Sequence, residues 1–290
     1  TPQACSAEAN LSASRGAMGM GVARALIAKG FTVCVRDVVA AREEQAIAAG
    51  AERISGDVDV LVSLVVDAGE TRAVVEEHGG RAPAFMMCST IAPRDAERFA
   101  SALQACGVEM LDAPISGGPA RAHAGTLSMM AAGSEAAFER CKPVIGAITA
   151  KCFRMGAKPG DGSRMKVVNN MMAASNIAAA CEAMAMAARL GINLERAMAV
   201  VNASSGASWM FADRMPRALA RDYAPTAAAR VLLKDVGLFV DVARSFGLSA
   251  PMAEQAQAIF RDTCDRGFAE EDDAAVLKRY ADEWKVDVPR

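Results

Sequence analysis

Lys166 is followed by Asn169 and Asn170 in the stretch "GDGSRMKVVNNMMAAS", and residues three and four apart share one face of a helix. Ala173, Ala174 and Ile177 continue that face without polarity, so the polar patch is confined to a single turn. Met165, Val167, Val168 and Met171 flank the lysine. An amine in such surroundings is partly desolvated, which lowers its pKa toward neutrality and suits it to proton transfer. The competing reading is a lysine that carries its ammonium out to water along an apolar stem.

Three further constellations could do chemistry. In "LDAPISGGPARAHAGTL" (111–127) the adjacent Gly117 and Gly118 expose backbone N–H groups and Ser116 adds a hydroxyl. Such a loop can hold a carboxylate, or be no more than a tight turn. Lys234 and Asp235 interrupt the apolar "VLLKDVGLFV", either as a structural ion pair or as a cation reaching into a site. Near the start, Gly16, Gly19 and Gly21 of "NLSASRGAMGMG" open a helical pattern, and the next strand pattern ends in Asp37. Glycines at a helix N-terminus suit a pyrophosphate, and an acidic side chain at that spacing suits the adenosine ribose hydroxyls. This favours NAD over NADP, while Arg36 beside it leaves NADP open.

The residues just before those glycines are Ser12, Ala13, Ser14 and Arg15, and the whole preceding stretch "CSAEANLSAS" (5–14) is too polar for the buried central strand of a parallel sheet. No delivering strand is therefore expected there. The run reads as a local alteration laid over an otherwise complete pattern.

What must position these residues is legible as alternation. "FTVCV", "VDVLVSLVV", "APAFMMCS", "GVEMLDA" and "GTLSMMAAG" read as strands, and "MGVARALIAKG", "AREEQAIAAG", "ETRAVVEEHG" and "PRDAERFASALQACG" as helices, each closing on glycine. The alternation predicts an α/β fold, an N-terminal Rossmann-type doubly wound domain over 1–160. From 161 the strand signal stops, and an all-α domain follows over 161–290, built on a long interdomain helix over 161–191. The cleft between two such halves is the default place for a ligand.

Composition narrows the partners. A chain of 290 residues with 52% hydrophobic content can bury a sizeable core, and a net charge of -2 offers no basic surface for nucleic acid. The eight cysteines never pair as C-x-x-C and read as buried, reduced thiols of a cytoplasmic protein. His78 and His123, the two histidines, lie in polar, turn-like contexts and are expected at the surface, so no metal site is expected. No uninterrupted apolar run reaches the ~18 residues of a membrane span, and no membrane partner is expected.

The ordered motifs "GAMGMG", "CSTIAP", "DAPISGG" with "AGTLSMMAAG", "GDGSRMKVVNN" and "LLKDVGL" together resemble the β-hydroxyacid dehydrogenases, the group that includes 3-hydroxyisobutyrate dehydrogenase, tartronate semialdehyde reductase and L-threonate dehydrogenase. The resemblance spans the chain from about Gly16 onward. It implies that Gly16, Ala17, Met18 and Gly19 form the pyrophosphate turn, that Asp37 meets the ribose, and that Val65, Val66 and Thr90 flank the nicotinamide. It further implies that Ser116, Gly117 and Gly118 hold a substrate carboxylate, that Lys166 is the general acid/base, that Asn170 orients the substrate, and that Lys234 approaches cofactor and substrate. A small hydroxy acid, NAD (with NADP open) and a homodimer or homotetramer are what the family implies. Within it, "GASWMFADRM", "RDYAP" and "EEDDAAVLKRY" look most like the L-threonate branch, although Asn170 stands where that branch is expected to carry glutamine. Against the family's V-x-x-I-G-L-G-x-M-G pattern, Ser14 replaces the first glycine and Arg15 the apolar residue after it. A reading of another class is a non-catalytic nucleotide-binding protein on the same fold, or an inactive homologue with an altered first strand and glycine turn.

Overall fold

The computed structural model describes residues 5–8, by backbone alone, and 17–288. Gly16, Ser14 and Arg15 lie outside the described residues. Two compact units divide the chain, Thr1–Val167 and Val168–Arg290.

The first unit runs β1 (Cys5–Glu8), α1 (Ala17–Ala28), β2 (Val33–Arg36), α2 (Ala40–Ala48), β3 (Glu52–Arg53), β4 (Val60–Ser63), α3 (Ala68–His78), β5 (Ala84–Met87), α4 (Pro93–Ala105), β6 (Glu109–Asp112), β7 (Ile115–Ser116), α5 (Gly118–Ala124), β8 (Leu127–Ala132), α6 (Glu135–Ile148), β9 (Thr149–Gly156) and the start of α7 (Asp161–Arg189). Its strands form one sheet in the order β3-β2-β1-β4-β5-β6-β8-β7, with β9 on β8. The first six are parallel, while β8 runs antiparallel to β6 and β7.

Side-chain alternation explains why the inner strands are apolar throughout. Val60 and Val62 of β4 pack with Val22 and Leu26 of α1 and Phe138 of α6. Leu61, between them, packs with Val74 of α3 and Phe99 of α4. Successive strand residues face opposite ways, so a strand covered by helices on both sides has no wet face.

The expectation of no strand before the glycines is corrected. Cys5–Glu8 forms β1 in the centre of the sheet, with Ser6 in register with Cys34 on one side and with Leu61 on the other. Main-chain pairing on both edges holds a strand irrespective of side-chain polarity, and side-chain polarity was the basis of the expectation.

His78 also departs from expectation. It is buried at 4% exposure, because Thr71, Val74 and His78 form one inward stripe of α3. His123 is exposed. Among the described cysteines, all free, Cys88, Cys141 and Cys181 are buried, Cys34, Cys152 and Cys264 are half-buried, and Cys106 is exposed just past the end of α4. The expectation of buried thiols is therefore corrected for Cys106, which sits where the helix ends at the surface.

The second unit continues α7 and adds α8 (Leu194–Asn202), α9 (Trp209–Leu219), α10 (Ala229–Ser245), α11 (Pro251–Thr263) and α12 (Val276–Trp284). By length and composition α7 is the one described helix that could cross a bilayer. Here its Ala174, Ile177, Cys181 and Met184 lie in the core of the helical unit with Phe211, Leu232, Phe260 and Tyr280. A second buried feature joins the segments that resemble the L-threonate branch. Arg214, 5% exposed, donates from Nε to Asp273 Oδ1 at 2.8 Å, and Arg217 donates to Asp272 Oδ2 at 3.1 Å. The Thr226 amide and hydroxyl complete Asp272 at 2.8 and 2.7 Å.

Candidate active site

The strand order reverses between β1 and β4, and in open parallel sheets ligands gather at the carboxyl ends of the strands beside such a reversal. The residues nominated from sequence follow those ends one after another. Asp37 follows β2, Val65 and Val66 follow β4, Thr90 follows β5, and Ser116 to Gly118 follow β6 by way of the short β7.

Asp37 is 3% exposed, and its Oδ1 accepts the Val39 amide at 2.8 Å. Val65 is buried and Val66 half-buried. The Val66 amide donates to Glu70 Oε2 at 2.8 Å, and the Glu70 amide donates to Asp67 Oδ1 at 2.9 Å. This reciprocal cap on α3 fixes the loop that carries Val65 and Val66. The Thr71 hydroxyl donates to the Asp67 carbonyl at 2.7 Å and lies 3.1 Å from the Ser89 hydroxyl. That contact ties the β4 loop to the β5 loop, which carries half-buried Thr90. Met18 is half-buried and Gly19 buried in the first turns of α1. At Gly21 an added Cβ would stand 2.7 Å from Ala122 Cβ and 2.9 Å from the His123 amide nitrogen, so only glycine lets α1 pack this closely on α5. A carboxylate at the end of β2, the strand reversal and a helix whose first turns carry Gly19 and Gly21 fit the adenosine diphosphate half of a nicotinamide dinucleotide.

Backbone conformation sets up the loop after β6. Gly117 has φ 135° and Gly118 φ 73°, values that L side chains rarely adopt. Ser116 closes β7 opposite Ser128 of β8 and remains half-buried. Lys166, only 7% exposed, donates from Nζ to the Ile115 carbonyl at 2.6 Å. Burial is at odds with the reading in which this lysine carries its amine out to bulk water. The first turns of α7 are anchored by a group the sequence did not single out. Asp112, fully buried at the end of β6, accepts the Gly160 and Ser163 amides through Oδ2 at 2.7 and 2.9 Å and the Ser163 hydroxyl through Oδ1 at 2.8 Å. Burial raises the Asp112 carboxyl, against these three hydrogen bonds that favour its charged form.

Within the helical unit a second cluster forms. Asn170, 6% exposed, donates from Nδ2 to Asp235 Oδ2 at 2.6 Å and accepts from Asn169 Nδ2 at 3.0 Å. Lys234 Nζ stands 2.6 Å from Asp235 Oδ1. The structural ion pair and the functional cation, set against each other from sequence, are thus compatible, because Lys234 keeps a quarter of its side chain exposed.

Comparison with known proteins identifies the fold's relatives. A profile described as NAD binding domain of 6-phosphogluconate dehydrogenase matches residues 15–156. Another, described as NAD-binding of NADP-dependent 3-hydroxyisobutyrate dehydrogenase, matches 160–280. L-threonate dehydrogenase of Escherichia coli (strain K12) is 39% identical over 279 residues, 92% of each chain. The chain belongs to the 3-hydroxyisobutyrate dehydrogenase family of β-hydroxyacid dehydrogenases. It is accordingly an NAD(P)-dependent dehydrogenase of hydroxy acids. Other family members include an NAD-dependent L-serine dehydrogenase of Pseudomonas aeruginosa, 31% identical over 91% of this chain and 95% of its own length. The crystal structure of a 3-hydroxyisobutyrate dehydrogenase from Salmonella typhimurium superposes with a TM-score of 0.88 at 38% identity, covering 96% of this chain and 99% of the other.

Proposed function

We propose that this dehydrogenase acts on L-threonate or a similar four-carbon sugar acid with NAD, and that Lys166 is its general acid and base. The observation that carries the proton-transfer role is the burial of Lys166 with its amine 2.6 Å from the Ile115 carbonyl, one residue from Ser116. The Ser116 hydroxyl and the loop amides at Gly117 and Gly118 bind the substrate carboxylate, which turns its carbinol carbon toward the nicotinamide side. Neutral Lys166 takes the proton of the carbinol hydroxyl as the C–H bond breaks, and its ammonium returns that proton in the reducing direction. NAD, when bound, accepts the hydride. Asn170, one helical turn beyond Lys166, orients the substrate, and Lys234 supplies positive charge to substrate and cofactor. Gly16, Ala17, Met18 and Gly19 bind the pyrophosphate, Asp37 the ribose, and Val65, Val66 and Thr90 line the nicotinamide side.

Lys166→Ala is expected to lower kcat by about 10² to 10⁴ while leaving the NADH dissociation constant, read by fluorescence titration, near the parent value. Near-full turnover in that variant would remove Lys166 from the mechanism. The choice of L-threonate is supported by the 39% identical relative and by the branch-like segments. A second reading, 3-hydroxyisobutyrate, is favoured by the name of the Salmonella structure; tartronate semialdehyde, as a reduction substrate, is the remaining family alternative. Initial rates with L-threonate, D-threonate, 3-hydroxyisobutyrate, glycerate and serine, each with NAD and NADP, separate these. The enzyme works in the cytoplasm as a homodimer or homotetramer, a reading supported by exposed Leu190, Val200, Phe246 and Met252 on the helical unit.

A further inference from the structure

The first turn of α2 holds a carboxylate for which the proposed reaction has no use. Glu43 is 5% exposed, yet it serves three donors. Its Oε2 accepts the Asp37 amide at 3.1 Å and Arg36 Nη1 at 3.3 Å, and its Oε1 accepts Arg53 Nη1 at 2.8 Å. Arg36 Nη1 also donates to the Asp37 carbonyl at 3.1 Å, and Arg53 pairs through its other nitrogen with Glu44. Burial works to raise the Glu43 carboxyl, but the Asp37 amide and the two guanidiniums outweigh it and hold it below its ordinary value. Glu43 is therefore an anion at neutral pH.

Two consequences meet at the end of β2. The main chain of Asp37 is fixed from behind, and both neighbouring guanidiniums are already engaged by carboxylates. With Arg36 and Arg53 held by Glu43 and Glu44 and the Asp37 carboxylate alongside, the place is a poor setting for the additional negative charge of a ribose 2′-phosphate. Resting on the reading that Asp37 meets the ribose, we propose that Glu43 is a positioning residue that sets cofactor specificity. It holds Asp37 in place for the ribose hydroxyls and withholds Arg36 and Arg53 from a 2′-phosphate, so that NAD is selected against NADP.

Dissociation constants of NADH and NADPH by fluorescence, with melting shifts given by 5′-AMP and 2′,5′-ADP, test this without turnover. In Glu43→Gln the NADPH-to-NADH ratio is expected to fall by about tenfold, and Arg36→Gln added to it should cancel the gain. A folded Glu43→Gln protein with the parent ratio overturns the proposal. Arg36→Gln alone keeps Glu43 in place and should leave the ratio unchanged. If it weakens NADPH relative to NADH by more than about threefold, Arg36 already serves the phosphate and the proposal fails, whether or not Glu43→Gln folds. Asp37→Ala separates the two levels of the argument. Unchanged NADH binding there overturns the ribose reading and this inference with it, whereas lost NADH binding beside an unchanged Glu43→Gln ratio overturns the inference alone.

Discussion

Asp235 shows how much of the site depends on a residue that touches no reactant in the proposed mechanism. Its two oxygens hold Asn170 and Lys234, each at 2.6 Å, and it is 4% exposed. Asp235→Asn keeps the shape but loses the charge that both donors use, and a charge-assisted hydrogen bond is worth about 1.5–3 kcal/mol. The expected result is a rise of about tenfold or more in KM for the hydroxy acid, with helical content unchanged. A parental KM would mean that Asn170 keeps its orientation without the carboxylate. The Lys166 patch was legible in the sequence because one polar turn stands out on an apolar helix. Asp235 was visible only as the neighbour of Lys234, since its partner Asn170 is 65 residues away. Asp112 gave no linear signal, because its meaning comes from Ser163, 51 residues on.

Elements follow the same logic of what a linear pattern can carry. Strands β2, β4, β5, β6 and β8 were legible because helices cover the sheet and leave runs of Val, Leu, Met and Ala. β3 has both residues exposed, and every residue of β9 is exposed or half-buried, with Lys151 and Arg154 pointing out, so neither writes an apolar run. Helix α6 carries Pro143 inside it, and α5 has only seven residues, which hid both. The inward stripe of α3 was readable at its Thr71, Val74, His78 spacing, but the turn residues after it suggested the surface. That stripe has a consequence for stability. Burial lowers the His78 pKa, and nearby Arg81 and Arg36 add to this against the raising effect of Glu77. The unfolded imidazole titrates near ~6.5. Below that pH the unfolded chain binds a proton that the folded chain still refuses, so stability falls with pH from about 6.5 down to the folded value and is insensitive to this group above it. Tm measured at steps from about pH 7.5 to 5.5 should fall more steeply for the parent than for His78→Gln. Equal slopes would show that His78 titrates alike in both states.

At the scale of the whole molecule, the described residues form three hydrophobic clusters that share no member. Two lie on the sheet between Val22 and Ile148, and the third is built on helices from Ala174 to Val288. The proposed cofactor contacts, Lys234 apart, all lie in the unit Thr1–Val167. A ligand that binds only the folded form adds RT ln(1 + [L]/Kd), about 2.7 kcal/mol at a hundredfold excess over Kd. That stabilisation acts on whichever cooperative unit must unfold to release the ligand. In scanning calorimetry of the full chain, NADH at that excess is therefore expected to raise the transition of the α/β unit and to leave that of the helical unit closer to its original temperature. Both transitions moving together would show that the Lys234 contribution, or α7 running through both units, makes unfolding a single event. Asp37→Ala provides the internal control, because the NADH-induced shift should shrink in that variant while the cofactor-free Tm changes little; no shift in the parent at all would remove the cofactor assignment from the first unit.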